Sequence, residues 1–208
     1  MRNAGKILLF ALILLFMVCG ISLADPMLDA GSARSYTKLG QNGTPLPDTA
    51  TQASGWDMTR DNVTGLMWEI KTDDETIHDR LKTCFWHESN PETNDGNVGA
   101  RVDGNGTEAF INTLNAQHFG GYSDWRMPTV KELDLLAIRG MYRGSDTSMH
   151  GPAIDTTWFP CTLPSCYWSS TTWADYTGYA WYVNFYRGGS DSDPKSSYKS
   201  VRAVRAGQ

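Results

Sequence analysis

Gly120-Gly121-Tyr122-Ser123-Asp124-Trp125-Arg126-Met127-Pro128-Thr129-Val130-Lys131-Glu132-Leu133 is the stretch that decides the architecture of this chain. A glycine pair stops whatever precedes it, an aromatic segment follows, and a proline ends that segment. Pro128 has no backbone N–H to donate and pushes Met127 toward extended geometry. Thr129 and Glu132 stand at capping-box spacing, just ahead of the apolar Leu133, Leu135 and Leu136. The reading is a strand that enters a sharp corner and a helix, Thr129–Ile138, that leaves it.

Working upstream, Thr107–Phe119 reads as a first helix, with Phe110, Ile111 and Leu114 on one face and the glycine pair as its stop. Residues 71–106 read as a long polar loop region. Before them, Trp56–Arg60 and Leu66–Ile70 flank Asp61-Asn62-Val63-Thr64-Gly65, the pattern of a β-hairpin. Residues 25–54 are rich in Gly, Ser, Thr, Pro and Asp and are expected to form an extended lead-in to a domain over 55–208. Downstream, Tyr167–Trp173 and Tyr179–Phe185 are aromatic runs separated by a five-residue turn signal, and Ser200–Ala206 reads as a final strand. In the second run Tyr179, Trp181, Val183 and Phe185 alternate with Tyr182, Asn184 and Tyr186. Two helices, an N-terminal hairpin and a C-terminal antiparallel sheet make an α+β domain.

The first residues have the organisation of a secretory signal. Arg2 and Lys6 precede an apolar core over Ile7–Val18, and Ser22-Leu23-Ala24 offers small residues for cleavage after Ala24. The apolar run is shorter than the ~20 residues of a spanning helix, so no transmembrane segment is expected after cleavage. Export to the periplasm or the cell surface is the expectation. Loss of 1–24 leaves 184 residues, room for one domain with a real core, and takes the net charge from −5 to −7. Nucleic acid and anionic membrane reward clustered Lys and Arg, so an acidic chain with no basic block is a poor match for either.

Three cysteines survive cleavage. Cys161 and Cys166 flank a four-residue loop short enough to close locally, and export favours oxidation, so they are expected to pair. Cys84 reads as a small buried hydrophobe, with an intermolecular bridge as the alternative.

The run Lys38-Leu39-Gly40, followed by Asp61-Asn62-Val63-Thr64-Gly65-Leu66-Met67-Trp68-Glu69, resembles the opening of the DUF1566 family. That family is also called the Lcl C-terminal domain, after a bacterial collagen-like adhesin. Tyr167-Trp168-Ser169-Ser170-Thr171 and the closing Val201-Arg202-Ala203-Val204-Arg205 follow in the family's order. The resemblance runs from residue 36 to the C-terminus. It implies a C-type-lectin-like fold, distantly related to formylglycine-generating enzymes, whose Arg-Leu-Pro-Thr-x-x-Glu motif is similar to Arg126–Glu132 here. Relatives often carry a cysteine where this chain has Ala203 and an aromatic residue where Cys84 stands.

Chemistry is sparse by comparison. There is no Gly-x-Ser-x-Gly elbow and no His-Glu-x-x-His helix, and His78, His87, His118 and His150 are scattered as surface or capping residues would be. Trp68, Trp125, Trp168 and Trp181 are expected in the core, and Arg126, Arg202 and Arg205 in ion pairs within the fold. No enzyme is expected. The preferred reading is a binding module for a glycan or an envelope or surface protein, with Trp173, Tyr176, Tyr182, Tyr186 and Arg187 as the candidate ligand surface; the alternatives are a structural or surface-assembly role without a small ligand and, less favoured, an enzyme of the formylglycine-generating superfamily. No cofactor is required by this reading. Calcium is the minority alternative, held by Asp95, Asn97, Asp103 and Asn105 in an irregular oxygen-rich loop. An EF-hand is excluded, because a register from Asp103 puts Glu108 where glycine is required and Leu114 at the bidentate position.

Overall fold

The computed structural model describes residues 34–99, 104–139 and 151–207. The signal-peptide reading, Asp103 and His150 fall outside them. Two sheets and two helices make the α+β domain.

The first sheet has strand order β1-β2-β3-β9, antiparallel throughout, with β1 Tyr36–Leu39, β2 Met58–Asp61, β3 Met67–Glu69 and β9 Val204–Arg205. The expected hairpin is β2–β3. Asp61 closes its turn by accepting the N–H groups of Val63 and Thr64 on its carboxylate and that of Gly65 on its carbonyl. Tyr36–Leu39, which the composition placed in the lead-in, is an edge strand of this sheet, registered Tyr36 to Asp61 and Leu39 to Met58.

The second sheet has order β4-β8-β5-β6-β7, formed by β4 Thr83–Cys84, β5 Cys166–Thr172, β6 Tyr179–Asn184, β7 Gly189–Pro194 and β8 Lys199–Ser200. Its contacts are antiparallel except for β5 and β8, which meet in parallel at Tyr167 and Ser200. The expected final strand is divided. Ser200 ends β8 in the second sheet, Val204 opens β9 in the first, and the fully buried Val201, Arg202 and Ala203 cross between them. The closing motif therefore ties one sheet to the other.

Helix α1 is Thr107–Ala116 and stops three residues short of Phe119. His118 adopts a left-handed conformation and Phe119–Gly121 tightens into a 3-10 turn. Gly120 and Gly121 both have positive φ, and a Cβ on them would fall on the Met58 sulfur and on Asn42 Oδ1. The chain then brings Arg126 beside Val204, each donating its N–H to the other's carbonyl at 2.9 Å, so the aromatic segment borders β9 through a single bridge. The capping box is present: Glu132 N–H donates to Thr129 Oγ1 at 3.3 Å, and Thr129 N–H donates to Glu132 Oε2 at 2.8 Å. Helix α2 is only Val130–Asp134. Leu135 and Leu136 continue as a turn, and Ile138 gives its N–H to Ala153 rather than to the preceding turn, which ends the helix early.

One core joins Tyr36, Trp68, Leu133, Phe159, Tyr167 and Val183, placing α2 against both sheets. A second joins Leu39, Met58, Cys84, Phe110, Leu114 and Trp125 beneath α1. Trp68, Trp125 and Trp168 are buried as expected, whereas Trp181 is half-buried.

The expected Cys161–Cys166 bridge is not formed, because Cys166 is a free thiol. Cys166 opens β5 beside Lys199 and Asp193, while the Cys161 sulfur is turned to Gln52 Oε1 at 3.9 Å. Short sequence separation did not bring the two side chains onto a common side. Cys84 is buried, and burial pushes its thiol up to about 11, so its surroundings are those of a small hydrophobe.

Candidate functional aromatic surface

The β5–β6 hairpin carries Tyr176, the most exposed aromatic side chain among the described residues, within a cluster of three rings. Its turn is closed by three backbone bonds: Trp173 N–H to Tyr179, Tyr176 N–H to Trp173, and Tyr179 N–H to Tyr176, at 2.9, 3.1 and 2.8 Å. That geometry draws three rings together at the apex. Trp173 lies 4.9 Å from Tyr176 and 5.8 Å from Tyr179, and the two tyrosines are 6.2 Å apart, with planes inclined by 45° to 79°. At such separations the rings touch, so a ligand would lie on them rather than between them. Tyr176 is 60% exposed, and Trp173 and Tyr179 are half-buried. Tyr179 was read from the sequence only as a strand residue; the turn closure that makes it the third ring involves no sequence motif.

The oxygen-rich loop packs beside this apex. Lys195, 2% exposed, joins the two. Its N–H donates to Gly178 in the hairpin, and its ammonium donates to the carbonyls of Asn97 at 2.7 Å and Asn94 at 3.4 Å, lying 3.7 Å over the Trp86 ring. Desolvation draws the Lys195 pKa down to about 8, with Asp95 acting in the opposite sense. Two loop oxygens that a cation could use therefore already face an ammonium. Of the calcium candidates, Asn97 Oδ1 accepts from Gly99 N–H, Asn105 takes part through its carbonyl with Phe85, Asp95 is exposed at positive φ, and Asp103 lies outside the described residues. Among the described residues, no three His, Cys, Asp or Glu side chains converge as metal ligands.

The remaining ligand candidates are not at the apex. Tyr186 and Arg187 follow the far end of β6, and six strand residues span ~20 Å. Tyr182 lies between the two ends, half-buried against Trp168 and beneath the Lys199 ammonium, 4.2 Å from its ring. Desolvation, reinforced by Cys166, Asp191 and Asp193, pushes its hydroxyl up to about 12. The structure thus divides the five predicted residues into an apex pair, a half-buried tyrosine and a distal pair.

A buried charge cluster went unseen in the sequence. Glu69 is fully buried and accepts from Lys71 Nζ, from His78 Nδ1 and from Ala203 N–H, each at 2.9 Å. Arg202 donates to the Glu69 carbonyl and to Thr162 Oγ1, both at 2.6 Å. Burial alone would raise the Glu69 carboxyl, but Lys71, His78 and the Ala203 amide outweigh it and hold it at about 2. His78, read as a surface or capping residue, is instead half-buried and packs on Phe119 at 4.1 Å. The one available signal was Trp68-Glu69-Ile70-Lys71, acid and base two apart along one strand direction. The cluster locks β3 to the buried crossing of 201–203, with Glu69, Lys71 and Arg202 out of contact with solvent.

Among the described residues no helix is long and apolar enough to cross a membrane. Comparison with curated proteins and with solved structures finds no match. The family model of the Lcl C-terminal domain matches residues 57–205, which span the β2–β3 hairpin, both helices, the aromatic apex and β9. This chain belongs to the Lcl C-terminal domain family.

Proposed function

We propose that this protein is an exported, non-enzymatic binding module that recognises a glycan at the cell envelope or surface, using the rings of Trp173, Tyr176 and Tyr179 as a stacking platform. The observation that carries this reading is the contiguous aromatic apex, with Tyr176 60% exposed, on a turn held by three backbone hydrogen bonds. Pyranose rings present an apolar C–H face that lies well on such a surface, and a turn already ordered loses little entropy on binding. The signal-like residues 1–24 support export, and the lectin-like architecture implied by the family resemblance agrees with a recognition role. Fold alone assigns no function; the exposed rings of the apex are what favour this one.

The test is a glycan array probed with residues 25–208, with calcium and with a chelator, alongside Tyr176→Ala. Binding to a saccharide that Tyr176→Ala reduces tenfold or more is the expected result, unaffected by the chelator. Binding that survives Tyr176→Ala and disappears with the chelator would move the site to the Asp95 loop. A blank array with folded protein would overturn the glycan reading in favour of a protein partner.

A further inference from the structure

The surroundings of the apex are acidic. The hairpin turn packs against the 88–99 loop and precedes the 190–198 segment in the same sheet: Lys195 N–H bonds to Gly178, its ammonium to Asn94 and Asn97, and Tyr179 is registered to Pro194. Residues 88–99, 171–179 and 190–199 together contain Glu88, Glu92, Asp95, Asp175, Asp191 and Asp193 against two bases, Lys195 and Lys199. Lys195 is buried and turned inward onto Trp86, and Lys199 is paired with Asp193, which leaves Glu88, Glu92, Asp95, Asp175 and Asp191 as the acids of this region. Asp175 sits in the turn between Trp173 and Tyr176 and is exposed, as is Asp95. A sulfated or carboxylated chain stacked on these rings would meet like charge, while an ammonium would meet both the negative ring faces and the carboxylates. The same combination already holds cations within this part of the fold. Lys195 lies on Trp86 under two carbonyls, and Lys199 lies 4.2 Å from the Tyr182 ring with Asp193 at 2.6 Å.

We infer that the apex selects saccharides bearing free amines, of the glucosamine type, over neutral ones, and rejects sulfated ones; this rests on the glycan reading above. Trp173, Tyr176 and Tyr179 supply the stacking surface common to all sugars, and Asp175 and Asp95 supply the discrimination. The rings are in mutual contact, so the amine is held at the margin of the platform, next to the acids, not enclosed in a cage.

The experiment titrates residues 25–208 with a glucosamine hexamer, an N-acetylglucosamine hexamer and a heparin-derived hexasaccharide, at low and at physiological salt. The expected order is the amine form tightest, about tenfold over the acetylated form at low salt and less at high salt, with the sulfated form weakest. The double variant Asp95→Asn/Asp175→Asn, both positions exposed, is expected to equalise the amine and acetyl forms. Equal or tighter binding of the acetylated or sulfated oligomer by the native protein would overturn this inference and leave the glycan reading standing. Failure of all three to bind folded protein would overturn both. A preference for the amine that survives the double variant would overturn the assignment to these two carboxylates.

Discussion

Glu69→Gln is the substitution on which the structural reasoning is most exposed. Glutamine keeps the shape and can still accept the Ala203 N–H, but it removes the charge that Lys71 and His78 share. Lys71 is 1% exposed and lies 5.2 Å from the Phe110 ring, with the Arg202 cation close enough to repel it, so its ammonium would remain buried with no counter-charge. Breaking a buried pair from one side typically costs about 3–5 kcal/mol, a large share of the ~5–15 kcal/mol that holds a domain folded. Lys71→Met leaves the carboxylate with His78 and the amide as partners and should cost somewhat less. The double variant Glu69→Gln/Lys71→Met removes both charges at once and lets an apolar side chain rest against Phe110. Its cost should fall to about 1–2 kcal/mol, giving a coupling of about 3 kcal/mol or more between the two positions. Urea unfolding at pH 7, followed by tryptophan fluorescence, measures all three variants. A loss below 1 kcal/mol for Glu69→Gln, or a double variant as unstable as the sum of the singles, would refute the reasoning.

The same carboxyl sets an acid limit. Its folded pKa of about 2 lies below the ordinary 4.5, so its contribution of about 3 kcal/mol is complete above pH 4.5 and is lost as pH falls toward 2. A urea midpoint that is flat across that window would contradict the assignment. Gly99→Ala places a Cβ on the Trp86 carbonyl at a residue with φ of 82°, and should destabilise by about 2 kcal/mol or more, read as a lower thermal midpoint. An unchanged midpoint would show that the loop is not held against Trp86. A bulky thiol reagent should modify the half-buried Cys166 in the native protein and Cys84 only on unfolding; mass mapping that finds Cys84 labelled first would reverse that order.

What the sequence could determine by itself was whatever depends on neighbours along the chain. Thr129, Glu132 and Pro128 specify a helix start through local hydrogen bonding and a missing donor, and the structure has that capping box. Asp61 and Gly65 specify the hairpin turn for the same kind of reason, and a run of ordered motifs was enough to place the chain in its family. The tertiary structure decided everything that depends on residues far apart. Val201–Ala203 read as the middle of one strand because their pattern is apolar and β-prone; only the competition of two sheets for the flanking edges splits that strand. Helix α2 ends at Asp134 because Ala153, about twenty residues on, captures the Ile138 N–H. Cys161 and Cys166 are close in sequence, but Cys161 lies in a turn at positive φ with its sulfur against Gln52, while Cys166 opens β5 beside Lys199 and Asp193. The apex gained Tyr179 and lost Tyr186 and Arg187 because a strand of six residues separates its ends by ~20 Å, while a closed turn brings residues three apart into ring contact. Glu69, Lys71, His78 and Arg202 became one buried cluster only when β3, the loop after it and the crossing segment folded onto one another, since burial is what converts scattered charges into a network.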